Sequence, residues 1–196
     1  MKLKKIFLLA LLLGGIVSCS WYEIPSSTSP SSSNISYHSF TNSFLDIEKP
    51  YLTMEKTSSS TIEDLDVDSF VTKCANQDSF VFILRSATCG HCKRLMEDRI
   101  NPFIEETQSK IYSIEALEAF NITKEGLQDK VAFSKYASCF DGDYDELFYY
   151  NDEKEITGLK GVPVTMIFEK GKMVDYIYGY SSYYPIIEMI TSYFIV

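Results

Sequence analysis

The chain of 196 residues predicts an α/β layer fold with a mixed β-sheet, and three features carry that prediction. "SFVFILRS", residues 79–86, is an unbroken run of β-formers, the pattern of a central strand covered on both faces. "PVTMIFEK" and "MVDYIYGY", residues 163–170 and 173–180, flank Gly171-Lys172 and read as a β-hairpin. Stretches of helical periodicity precede, separate and follow these strands, and helices intercalated among strands imply a layered α/β arrangement.

The N-terminal segment stands apart from that fold. Lys2, Lys4 and Lys5 precede an apolar run of twelve residues, Ile6 to Val17. At ~1.5 Å per residue the run falls well short of a ~30 Å hydrocarbon core, so residues 1–18 read as a cleaved leader rather than a membrane span. The run closes on Ile16-Val17-Ser18-Cys19, which resembles the lipobox of bacterial lipoprotein precursors. That resemblance implies that Cys19 receives a diacylglyceryl thioether, becomes the new N-terminus and is acylated again. Two or three acyl chains at ~0.8 kcal/mol per buried CH₂ would hold the protein stably on a bacterial cell membrane, facing outside the cytoplasm.

Residues 26–36 hold eight Ser or Thr in eleven positions, and 57–61 read "TSSST". Such segments bury too little apolar surface to offset the entropy of ordering, so 19–61 is predicted to be a lipidated cysteine followed by a mostly disordered tether. Within it "FTNSFLDIEKPYLTM" is more apolar, and whether it packs on the domain stays open. The remaining 62–196 suits one domain with its own core. Removing the leader's three lysines leaves 15 basic against 27 acidic side chains, a net charge of −12. An acidic surface of this kind argues against nucleic acid and against electrostatic membrane binding, and a monomer is expected.

Taken in order, residues 62–78 place Leu65, Phe70, Val71 and Cys74 at helical spacing. After the strand at 79–86, the stretch from Cys89 to about Lys110 is helical, with Leu95, Met96, Ile100, Phe103 and Ile104 inward and Pro102 as a kink. "IYSIEAL", 111–117, reads as a second strand, and 123–151 as a polar, helix-prone region ending in "DELFYY". "YYPIIEMITSYFI", 183–195, closes the chain as an amphipathic helix with Pro185 in its first turn.

Cysteine usage supplies the chemistry. With Cys19 set aside, Cys74, Cys89, Cys92 and Cys139 remain, enough for two disulfides in three connectivities. Cys89 and Cys92 lie directly after the buried strand and open a helix. There the unsatisfied N–H groups of the helix start, together with His91, favour the thiolate of Cys89, the form that reacts.

"CGHCKRL", 89–95, resembles the active-site run of protein disulfide isomerase domains, and "GVPVTMIFEKGKMVDYIYGY", 161–180, is similar to the thioredoxin segment that carries the cis-proline and last hairpin. The two motifs occur in the family's order, and the similarity covers most of 65–196. It implies a thioredoxin-like fold with a helical insertion at 123–151 between the active-site helix and the cis-Pro strand. It also implies a thiol–disulfide oxidoreductase that exchanges disulfides with secreted or surface proteins without a cofactor or metal, and a redox partner that regenerates the pair. Cys89 would be the attacking sulfur and Cys92 the resolving one, with His91 beside them. Pro163, if cis, would lie against the pair, leaving Val162 backbone groups and Gly90 to face substrate. A Gly-His dipeptide resembles the isomerase, at about −180 mV, more than thioredoxin, at about −270 mV.

The match has gaps. Many relatives carry a buried carboxylate six residues before the first cysteine, where this chain has Ile83, and an aromatic immediately before it, where this chain has Thr88. Proton relay must then use water, Lys93 or a carboxylate elsewhere. Arg85 reads as an outward, solvated side chain. The thioredoxin topology puts Cys74 and Cys139 on one face of the sheet, which allows either a structural disulfide or two buried thiols. Two other readings use the same residues: a zinc site, for which Cys74 and Cys139 would have to complete the ligand set, and an inert thioredoxin-like binding or assembly module.

Overall fold

Strand β3 (Phe80–Arg85) is the axis of the molecule. In the computed structural model, which describes residues 51–142, 144–180 and 186–196, Phe80 to Leu84 of this strand are all buried. The leader, Cys19 and the tether as far as residue 50 lie outside the described residues.

The elements run in chain order as β1 (Leu52–Thr53), β2 (Glu63–Asp64), α1 (Val67–Ala75), β3, α2 (Gly90–Leu95) and a π-helical turn (Met96–Ile100). Next come α3 (Asn101–Thr107), β4 (Tyr112–Glu115), α4 (Ala116–Ala119), β5 (Ile122–Thr123), β6 (Gly126–Leu127) and α5 (Lys130–Ala137). They finish with β7 (Phe148–Tyr150), β8 (Ile156–Leu159), β9 (Val164–Glu169), β10 (Lys172–Tyr178), α6 (Ile186–Tyr193) and β11 (Phe194–Ile195). A five-stranded sheet has the order β10-β9-β3-β4-β2, in which β2, β3 and β4 are parallel and β9 and β10 antiparallel to their neighbours. With helices on both faces, this is a thioredoxin-like α/β fold.

Successive side chains of a strand point to opposite faces, so β3 feeds two cores. Phe80, Phe82 and Leu84 join Phe70 of α1, Tyr136 of α5 and Phe168 of β9 in an aromatic core. Phe70 sits 4.5 Å from the Phe82 ring and 5.2 Å from that of Tyr136, centroid to centroid. Val81 and Ile83 join Leu95, Ile100, Ile104 and Ile190 in an aliphatic core under α2, α3 and α6.

Helix α1 begins later than the periodicity suggests because Asp66 caps it, accepting the Ser69 N–H at 2.7 Å, and Glu63–Asp64 is recruited as an edge strand beside β4. The kink predicted at Pro102 takes the form of a widened turn just ahead of it. Proline has no N–H to offer, and the Asn101 N–H bonds the Met96 carbonyl, five residues back. Region 123–151 is only partly helical. It holds α5, the β5–β6 hairpin and β7, whose Phe148 is buried while Tyr149 is exposed. Asn151 closes the β7–β8 turn by accepting the Glu155 N–H at 2.8 Å, so the end of the region predicted to be helix-prone is a strand and a turn.

The β9–β10 turn falls at Lys170-Gly171, one residue earlier than predicted, with φ of 51° and 75°. A Cβ on Gly171 would lie 2.0 Å from the Cys74 carbonyl oxygen, so only glycine lets the hairpin close against α1.

The tether predicted for 19–61 is too long at its C-terminal end. Leu52–Thr53 pairs in parallel with Phe194–Ile195, Met54 is buried in the aliphatic core, and Lys110 donates its N–H to the Glu55 carbonyl at 2.7 Å. The period-two placing of Leu52 and Met54 outweighs the Ser/Thr-rich stretch that follows, and the same pairing ends the last helix at Tyr193 rather than 195. A chain beginning at Ile62 is expected to lose about 2–3 kcal/mol of unfolding free energy relative to one beginning at Tyr51, as uncovering Met54 and Phe194 requires. Urea unfolding of the two chains measures this.

Candidate active site

The buried strand ends where its last side chains reach the sheet edge, and Ser86, Ala87 and Thr88 carry the chain over into α2. Ser86 and Thr88 hold this loop through their hydroxyls at 3.1 Å, and the Cys89 N–H donates to the Ser86 carbonyl at 3.1 Å. Cys89 is thereby the N-cap of α2, in an extended conformation (φ −87°, ψ 116°), with its carbonyl accepting the Lys93 N–H at 3.0 Å. Its sulfur stands at the amide end of the helix that continues through the π turn into α3.

Cys92 follows one turn later and points inward. The Ser86 N–H donates to its sulfur at 3.4 Å. Both sulfurs belong to buried residues, Cys89 at 7% exposure and Cys92 at 2%. Burial pushes the Cys92 thiol well above the usual thiol range, an effect the Ser86 N–H opposes and the nearby Cys89 and Glu115 reinforce.

The Val162–Pro163 peptide bond is cis, and the Val162 carbonyl accepts from the Cys89 thiol at 3.6 Å. The Gly179 N–H donates to the Pro163 carbonyl at 2.8 Å, fixing this loop to the end of β10, and Tyr178 packs against Gly161. Thus Cys89, Cys92, Val162 and Pro163 come together. Gly90 and His91 lie exposed on the first turn of α2, and a Cβ at Gly90 would meet nothing within 4 Å, so the solvent side of the pair is open.

Ile83, in the place of the expected carboxylate, is fully buried in the aliphatic core. Arg85, predicted to be solvated, is instead engaged. It contacts Asp64 at 2.6 Å, donates through Nε to Ser113 at 3.1 Å and lies 3.7 Å from Glu115. Glu115 was not singled out in the sequence. It ends β4 as the register partner of Arg85, and one of its carboxylate oxygens accepts the Ala87 N–H at 2.5 Å. Parallel neighbouring strands end at the same sheet edge, which is the signal that locates it.

Cys74 of α1 and Cys139, just beyond α5, are brought into hydrogen-bonding contact, both half-buried. The bond from Cys74 raises its own thiol and lowers that of Cys139. Among the described residues, no three His, Cys, Asp or Glu side chains gather as a metal would require, and no helix is long and apolar enough to cross a membrane.

No protein-family model matches the chain, and no curated protein does. Among solved structures, a thioredoxin variant from Halobacterium salinarum NRC-1 is similar at 15% identity and a TM-score of 0.43, over 72% of this chain and 98% of that one. Spinach chloroplast thioredoxin f in its short form is similar at 16% identity and 0.43, over 70% and 97%. Oxidised mitochondrial thioredoxin 3 from Saccharomyces cerevisiae is similar at 15% and 0.40, over 69% and 97%.

Iodoacetamide at neutral pH is expected to label Cys89 roughly tenfold or more faster than Cys92, because only the thiolate reacts and burial keeps Cys92 protonated. In the second pair Cys139 is expected to react before Cys74. A time course read by peptide mass mapping checks both orders.

Proposed function

We propose that this chain is a thiol–disulfide oxidoreductase, lipid-anchored through Cys19 on the outer side of a bacterial cell membrane and acting on secreted or surface proteins. The observation that carries the reading is the seating of the Cys89 sulfur between the start of α2 and the carbonyl that precedes a cis-proline, with a second, buried thiol one turn behind it.

In the reducing direction the Cys89 thiolate attacks one sulfur of a substrate disulfide. A Cys89–substrate bond forms, the substrate S–S bond breaks, and the other substrate sulfur leaves as a thiolate. Cys92 then attacks the Cys89 sulfur, forming the Cys89–Cys92 disulfide and releasing the second substrate thiolate. Two electrons pass from the pair to the substrate, and the reverse sequence oxidises a substrate dithiol. A thiol or disulfide partner of opposite poise must reset the pair, and no cofactor enters either direction. Val162 is suited to bind substrate because an extended segment lying across the pair would meet its backbone groups in place of the Cys89 thiol. Gly90 presents no side chain to that segment, and His91 would steady charge on the exposed side.

A second reading, an inert binding or assembly module, draws on Ile83, whose burial removes the expected carboxylate from beneath the pair. Activity separates the two. The wild-type chain is expected to reduce insulin or reoxidise reduced ribonuclease, and Cys89→Ser to lose at least about a hundredfold of that rate, since the attacking sulfur is gone. Equal, negligible rates in both chains would leave the inert module. Cys92→Ser is expected to accumulate substrate mixed disulfides on non-reducing gels. Replacement of Cys19 by Ala is expected to abolish palmitate incorporation and to move the protein from the membrane to the soluble fraction.

A further inference from the structure

The resolving step needs a place for a proton. Cys92 must become a thiolate to attack Cys89, and it is 2% exposed, with burial holding its proton on. Ile83 offers nothing to receive it. The Ser86–Ala87 backbone shows what does lie close. Two successive amides of this loop point at two acceptors: the Ser86 N–H at the Cys92 sulfur, 3.4 Å away, and the Ala87 N–H at a Glu115 oxygen, 2.5 Å away. Consecutive amide nitrogens are less than one Cα–Cα step apart, so the sulfur and the carboxylate lie no more than about 10 Å from each other. The Glu115 side chain is 17% exposed, so it borders solvent while bonded to the loop that holds Cys92.

Its position is over-determined. Its two oxygens accept from Ala87 and, at 3.2 Å, from the Leu117 N–H, while Arg85 holds it from β3. A carboxylate has about four lone-pair sites, which leaves room for a proton beside these bonds. The other charged groups along its cleft are Asp64, Asp66 and Asp68, with Glu118 of α4 and Asp129 ahead of α5. Lys135 of α5 is paired with Asp68 at 2.8 Å.

We propose that Glu115 is the proton acceptor of the resolving step, taking the Cys92 proton through bridging water from a different strand than the one that carries Ile83. This rests on the redox reading of Cys89 and Cys92. The step balances as follows: the Cys92 S–H bond breaks and its proton passes to the Glu115 carboxylate, a Cys92–Cys89 bond forms, and the Cys89–substrate bond breaks with the electron pair leaving on the substrate sulfur. In the oxidising direction the protonated Glu115 returns the proton to Cys92.

Dithio-bis-nitrobenzoate tests this on the full chain with Cys19, Cys74 and Cys139 replaced by serine. The first chromophore released reports attack by Cys89, and the second reports resolution by Cys92. Glu115→Gln is expected to leave the first phase within about twofold and to slow the second at neutral pH by roughly tenfold or more, as loss of a general base does. The deficit should close as the pH rises, and Glu115→Asp should restore most of the rate. A carboxylate that acted only through its charge would hinder ionisation of Cys92, so a second phase that is unchanged or faster in Glu115→Gln overturns the proposal. Equal slowing of both phases, the mark of a loop that has lost its anchor, overturns it too. If the unsubstituted pair releases no chromophore at all, the redox reading itself fails.

Discussion

The hydrogen bond from the Ser86 amide to the Cys92 sulfur depends on everything below it and organises everything above it. Ser86 follows immediately on β3, a strand buried on both faces, so its position cannot drift without moving two cores. Held there, it fixes the buried sulfur directly, and through its carbonyl it fixes Cys89 as the helix cap. The two sulfurs are thus placed by the donor and acceptor of a single residue. Their different environments follow from which side of that residue each falls on. Cys89 lies against the Val162 carbonyl of the cis-Pro loop, and Cys92 against the Ser86 amide.

The two cores do different work for the site. The aromatic side, with Phe70 packed among Phe82, Tyr136 and Phe168, ties α1 and α5 to the sheet and extends under the β7–β8 hairpin through Phe140, Leu147 and Phe148. Rings in offset and edge-on contact add about 0.5–1.5 kcal/mol per pair beyond their burial, which suits a side made of several small, irregular elements. The aliphatic side is simpler. Leu95, Ile100 and Ile104 descend from α2, the π turn and α3 onto Val81 and Ile83, so the helix that presents the cysteines is seated on branched side chains with few rotamers.

How much of this was legible in the sequence follows from how local each signal is. The run at 79–86, the cysteine pair opening a helix and the 163–180 hairpin are contiguous patterns, and each forms within a residue or two of its predicted place. Leu52 and Met54 were hidden because their partners, Phe194 and the aliphatic core, lie about 140 residues away in the chain or arise only when the sheet forms. The turn at Asn151 was hidden because acidic, Tyr-rich sequence suits a helix surface as well as a hairpin, and burial of Phe148 decides between them. Arg85 shows the same limit at the site. A lone arginine at a strand end reads as solvated until the parallel pairing of β3 with β4 and of β4 with β2 brings Asp64, Ser113 and Glu115 around it. The cysteines were readable because their chemistry is carried by spacing along the chain. The carboxylate was not, because its relation to them runs across strands.

That difference also explains where charge can sit near the pair. A carboxylate at position 83 would sit in the cluster of Val81, Leu95, Ile100 and Ile167, and an unpaired buried charge costs several kcal/mol. At the end of β4, one register step from the edge, the same charge meets Arg85, two backbone amides and solvent. The aliphatic core that makes the helix seat rigid therefore excludes charge from directly beneath the sulfurs and confines it to the rim of the sheet. At that strand end Glu115 accepts the Ala87 amide, the neighbour of the Ser86 amide that bonds Cys92.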